Sequence, residues 1–167
     1  MDRALFYGQK MKIQTSKLSC AQLDLAHALI DPQCSELKWE FRYGVMCGII
    51  KDGLEYAGQI VLFIPSKAMG FVQRTMLARR IDASVYSPTK EPGSAMKLAQ
   101  TKGISTDNWQ APRWAAGFVI PAKHPDAKIS PSHCRQLGAT PMEAIVRCIV
   151  FAHYGDFVEI PDELANE

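Results

Sequence analysis

Cys20, Asp24 and His27 are spaced four and three residues apart, which at 100° per residue puts them on one narrow helix face among apolar neighbours. A thiol, an imidazole and a carboxylate to orient that imidazole are the parts of a nucleophilic site. The plainer reading is that an amphipathic helix turns one face to water, where Asp and His belong. Triad members seldom come from a single helix. No catalytic residue is therefore assigned, and Cys20, Asp24 and His27 stand only as the grouped candidates should the chain be an enzyme.

A second constellation is Thr106-Asp-Asn-Trp-Gln-Ala-Pro-Arg-Trp114, which packs two tryptophans, an arginine and several amides beside an expected strand. Trp and Arg sandwich planar bases, and the Arg fork fits phosphate. Protein partners use the same residue types, because Trp and Arg dominate interface hot spots. Against this stands a structural role, with Trp109 and Trp114 as core anchors whose indole N–H groups find internal acceptors. Asp107, Asn108, Trp109, Arg113 and Trp114 are the residues expected to touch a ligand or partner.

Other motifs point to less. His124, His133 and Cys134 follow no metal-ligand spacing and lie in a proline-broken stretch, so no metal is expected, nor any cofactor. No glycine-rich phosphate loop or paired-carboxylate signature occurs. His153 is placed toward the core near a helix end, where the dipole favours its charged form. Glu143 and Arg147 form an i,i+4 pair.

The elements that carry these residues are marked by their punctuation. Ser19 with Gln22 three residues on is a capping box opening a first helix that ends before Pro32. Arg42 to Ile50 and Gln59 to Ile64 read as strands flanking a turn-rich Lys51-Asp-Gly53, an antiparallel pair. Ser66 to Arg80 has near-helical apolar spacing, residues 87–93 read as loop, and a short helix is expected over Ser94 to Lys102, stopped at Gly103. Trp114 to Ile120 reads as a strand, and 121–138 as a long loop. Thr140 as N-cap with Glu143 completing a capping box, and Pro141 at the first helical position, open a last helix that Gly155 closes. The order gives an α+β fold, a mainly antiparallel sheet packed by three to four helices in a single compact domain. Residues 1–10 read as an N-terminal extension, with residues 11–167 as the domain and Met11 as an alternative start.

Four blocks resemble the NinX-like family, small accessory proteins of tailed phages and prophages. They are the stretch from Met11 into the first helix, Tyr86-Ser-Pro-Thr89, Gly103 to Ala111, and the C-terminal Gly138 to Leu164, which is the specific one. In the family the Tyr-Ser-Pro block continues as Ser-Thr-Asp-Trp. Here it runs Thr89-Lys-Glu-Pro-Gly93, so a site built on that Asp and Trp is altered. Of the first-helix trio, only Asp24 matches what the family usually has. The resemblance implies a phage or prophage product in a bacterial cytoplasm without an established activity, and adds Tyr86 to the expected binding residues. Counter-defence is an analogy with other small phage accessories.

Composition sets the outer limits. At 167 residues and 47% hydrophobic content the chain is long enough for a real core. A net charge of +2 argues against nucleic acid as a partner. Charge is uneven, with Lys67, Arg74, Arg79 and Arg80 in one basic region and only acidic charges after Asp156. The five cysteines are odd in number and widely spaced, which fits reduced thiols in a cytoplasm. The aliphatic and aromatic run Ile60 to Ile64 is too short to span a bilayer. The expectation is a non-enzymatic binder of a host component, either a nucleotide-type ligand or a host protein. A small enzyme on a nucleotide or phosphorylated substrate is the alternative, and an open sheet edge would favour homo-oligomers.

Overall fold

In a computed structural model, the described residues are 9–32, 34, 37–42, 45–50, 60–63, 83–110, 112–118 and 134–165. In chain order they form β1 (Lys10–Gln14), α1 (Cys20–Ala28), β2 (Leu37–Arg42), β3 (Val45–Ile50), β4 (Ile60–Phe63) and β5 (Ala83–Val85). Then come α2 (Pro92–Lys102), β6 (Ile104–Gln110), β7 (Arg113–Phe118), β8 (Arg135–Gly138), α3 (Pro141–Tyr154), β9 (Phe157–Pro161) and the four-residue α4 (Asp162–Ala165). The result is a single compact α+β fold.

The helix ends follow the local chemistry. Ser19 and Gln22 make the reciprocal capping box of α1, with Gln22 Oε1 accepting from Ser19 N at 2.8 Å. Thr140 Oγ1 accepts from Glu143 N at 3.1 Å, whereas Glu143 reaches past the cap to Ala139 N at 2.9 Å. Gly103 and Gly155 close α2 and α3 with φ of 66° and 84°, a region costly for any residue with a Cβ.

Three sheets form, of which β6-β7-β8 and β9 pack on α3 while the four-stranded one touches α1 through β4. β1 pairs with β9, β6-β7-β8 is antiparallel throughout, and β2-β3-β4-β5 is antiparallel except for the parallel β4–β5 pair. Residues Ala144 to Val150 of α3 are all buried, because the helix sits between two core clusters and has no water-facing side there. One cluster joins α3 to α1, β9 and α4 through Leu23, Leu25, Val146, Val150 and Ile160. The other joins it to α2 and the β6-β7-β8 sheet through Ala99, Ile104, Ala116, Ile145 and Ile149.

Several boundaries differ from the sequence reading. The strand expected over Arg42 to Ile50 is split, with Arg42 ending β2 and Val45 opening β3 as its antiparallel partner. β3 and β4 form the expected antiparallel pair. α2 begins at Pro92, since Pro fits a first helical position, so the expected loop is shorter. Part of the expected loop 121–138 is β8, whose residues pair with β7. The acidic C-terminal segment contains β9, which alternates exposed and buried residues from Phe157 to Ile160. Gln9 and Lys10 take part in the fold, through Asp162 N to Gln9 O at 3.0 Å and the Lys10–Pro161 pairing. The helix expected over 66–80 lies outside the described residues. Among the described residues, no helix is long and apolar enough to cross a membrane.

Candidate functional site

The polar face of α1 does not meet water. Asp24 and His27 are 3% and 2% exposed, because the segment Tyr86–Thr89 lies across them. The solvated-face reading is thus corrected: the cover over this face is itself polar, so the helix side chains find hydrogen bonds rather than apolar contacts. Asp24 Oδ2 accepts from Ser87 Oγ and Thr89 Oγ1, both at 2.9 Å, and Oδ1 accepts from Thr89 N at 2.9 Å. Burial nevertheless dominates and pushes the Asp24 carboxyl up to about 7, against the pull of those three bonds.

His27 is served separately. Its Nδ1 lies 2.5 Å from the Tyr86 hydroxyl, which donates to Asp31 Oδ2 at 2.8 Å. Tyr86 has one hydroxyl proton and gives it to Asp31, so the proton in the first contact comes from the imidazole, which assigns the Nδ1–H tautomer. Burial pushes His27 down to about 4, so the ring is neutral at pH 7. Burial, then the Glu143 charge, pushes the Cys20 thiol up. A Cys–His–Asp relay is therefore not assembled. Asp24 serves Ser87 and Thr89, His27 serves Tyr86, and the thiol is held away from its nucleophilic form. The arrangement clasps the 86–89 segment to α1.

The second constellation sits on the other side of α3. β6 and β7 bring Asn108 opposite Trp114 and Gln110 opposite Arg113, with a register shift at Trp109. Trp114 is half-buried and packs on the α2–α3 cluster, as a core anchor would. The Trp109 side chain lies outside the described ones. Asp107 and Asn108 are exposed, and Asp107 pairs with Arg135 at 2.8 Å. Arg113 is exposed and has no ion pair among the described residues. It opens onto a cleft of about 650 Å³ that Arg135, Arg147, Ser16, Pro112 and Leu137 also line. That volume suits a small organic ligand. Tyr86 is not part of this cleft. It belongs to the α1 clasp, so the expected binding residues divide between two places.

Arg147 and Arg135 are the charged cleft residues that sequence reasoning missed. As one member of an i,i+4 pair, Arg147 looks like a surface residue. In the fold it is 8% exposed and ties three elements together. It bonds Glu143 Oε1 at 2.6 Å on its own helix, Leu137 O at 2.7 Å on β8, and Leu18 O at 2.9 Å before α1. The available signal was its place as the one charged residue in the otherwise apolar run Ala144 to Phe151. His153 is half-buried with its ring edge-on to Tyr154 at 4.7 Å. The basic cluster Lys67, Arg74, Arg79 and Arg80 lies outside the described residues, as do His124 and His133. Among the described residues, no group of three or more His, Cys, Asp or Glu side chains could hold a metal ion.

No family model matches the chain. It is similar to the large ribosomal subunit protein bL17 of Pelagibacter ubique (strain HTCC1062), 29% identical over 99 residues. The match covers 59% of this chain and 66% of that protein, so this chain spans less than two-thirds of that protein's length.

Proposed function

We propose that this chain is a phage or prophage accessory protein that binds an anionic host component in the arginine-lined cleft, without chemistry on it. A nucleotide-type ligand fits the cleft's size, and an acidic face of a host protein fits its charge. The observation that carries the reading is Arg113, an exposed guanidinium without an ion pair among the described residues, at the mouth of a cleft of about 650 Å³. The fork of Arg113 matches phosphate or carboxylate, and Trp114 beside it on β7 gives the wall a rigid anchor. Counter-defence is the role that such a binder would serve in a bacterial cytoplasm. The enzyme alternative loses support from the α1 face, where neither a nucleophile nor a relay is arranged.

The test is calorimetric titration of the full chain with nucleoside phosphates and cyclic nucleotides, beside pull-down from bacterial lysate. A charge-assisted hydrogen bond contributes about 1.5–3 kcal/mol, so Arg113→Ala is expected to weaken binding by about tenfold to a hundredfold. Full affinity in that variant refutes the cleft as the site. Ligand recovered chemically altered refutes the non-enzymatic reading. Titration with a short RNA gives the comparison suggested by the similarity to a ribosomal protein, and RNA bound more tightly than nucleotides would redirect the assignment.

A further inference from the structure

Cys134 and Cys148 face each other across the junction of β8 and α3. Their Sγ atoms are 3.5 Å apart, and both residues are buried, at 1% and 0% exposure. Each thiol also lies against the other's backbone, Cys134 Sγ to Cys148 O at 3.1 Å and Cys148 Sγ to Cys134 O at 3.3 Å. The crossed pattern holds both sulfurs between the two chain segments. Cys134 immediately precedes β8, while Cys148 lies midway along the buried stretch of α3. The remaining described thiols have no such neighbour: Cys20 is half-buried beside Thr89, and Cys34 is buried next to the Asp31 end of the clasp.

We propose that Cys134 and Cys148 are a redox-active dithiol pair, whose oxidation by a peroxide-class oxidant joins the start of β8 to α3 through a disulfide. One sulfur, as its thiolate, attacks hydrogen peroxide and becomes a sulfenic acid, releasing hydroxide that takes up the proton the thiol gave off and leaves as one water. The second sulfur then displaces the hydroxyl from the first, forming the S–S bond and releasing a second water. Two thiols lose two protons and two electrons in all, and the peroxide oxygens are reduced to water. The hydrogen bond shared with Cys134, then burial, holds the Cys148 thiol well above its ordinary range, away from its nucleophilic form at neutral pH. The closed loop is short, 14 positions from Cys134 to Cys148, and includes Arg135 and Leu137 of the cleft wall. Oxidation would thus lock that wall against the central helix. The proposal does not depend on what the cleft binds.

The experiment treats the full reduced chain with hydrogen peroxide over a pH series, alkylates the residual thiols, and maps non-reduced peptides by mass spectrometry. The expected product is a peptide pair linking Cys134 to Cys148, two hydrogens lighter than the reduced pair and cleaved by dithiothreitol. It forms faster as pH rises, since the thiolate is the attacking species. Constraining a loop of this length is expected to raise the thermal midpoint by about 5–10 °C. Recovery of both cysteines in alkylated form, after oxidant has consumed Cys20, overturns the proposal. So does a crosslink that lowers the midpoint, because it would join the sulfurs only by distorting the native junction. Cys134→Ala serves as the control, in which the loss of the linked peptide is read without reference to stability.

Discussion

Asp24 and His27 are buried one helical turn apart, and burial moves their proton affinities in opposite directions. Asp24 goes from its ordinary 3.8 up to about 7, and His27 from 6.5 down to about 4. For Asp24 the folded state holds its proton more tightly than the unfolded chain. Its contribution is complete below about pH 4 and lost as pH rises toward 7. At 1.36 kcal/mol per pH unit this amounts to about 4 kcal/mol. For His27 the unfolded chain holds the proton more tightly. Its contribution is complete above about pH 6.5 and lost as pH falls toward 4, about 3 kcal/mol in the opposite sense. Between about pH 4 and 6.5 the two slopes nearly cancel, so this pair leaves stability almost flat with pH. Asp24→Asn removes one side of the balance. An amide at this position still accepts from Thr89 N, and the Ser87 and Thr89 hydroxyls rotate to accept from it, so the clasp survives. The variant is expected to lose about 3 kcal/mol relative to the native chain between pH 6.5 and 4.5. Urea denaturation at a series of pH values, followed by tryptophan fluorescence, measures the difference directly, provided that the slopes with urea agree. Parallel pH profiles for native and variant chains would refute the opposed-titration reasoning.

Substitutions at two further positions test how α3 is held. A Cβ on Gly138 would stand 2.5 Å from Ala144 N, and backbone cannot yield as a flexible side chain would, so Gly138→Ala is expected to cost about 1–3 kcal/mol in thermal unfolding. Arg147→Met leaves the Glu143 carboxylate and the Leu18 and Leu137 carbonyls without their donor, with an expected loss of about 3–5 kcal/mol. Arg147→Lys is expected to recover little of it, since one ammonium cannot reproduce the guanidinium fork. A cost below about 1 kcal/mol for Arg147→Met, measured by denaturant midpoint, would show that the tether contributes little.

How far the sequence can be read depends on how far apart the partners lie. The caps at Ser19–Gln22 and Thr140–Glu143, and the glycine stops at 103 and 155, are written within three or four residues. Each is found where the spacing predicts it, except that the Glu143 side chain bonds Ala139 N and leaves the second capping box half made. β8 and β9 carry no such local signature. β8 has only four residues, and β9 exists because it pairs with β1 from the far end of the chain, Lys10 against Pro161. A strand that short has too little alternation to stand out from a proline-rich stretch.

By itself, the sequence determined α1 and α3 with their N-caps, the stop of α2 at Gly103, the α+β class and the placing of Cys20, Asp24 and His27 on one helical face. All of these follow from backbone sterics and hydrogen bonds between near neighbours. Only the tertiary structure decided what that face does. Asp24 meets Thr89 across 65 positions and Arg147 meets Leu18 across 129, and no local pattern states which distant segment will cover a given side chain. Burial removes water from these groups, and the loss of water sets both their proton affinities and their hydrogen-bond partners. A helix face that reads in sequence as turned to water is, for that reason, a clasp made by Asp24 and His27 in the folded protein.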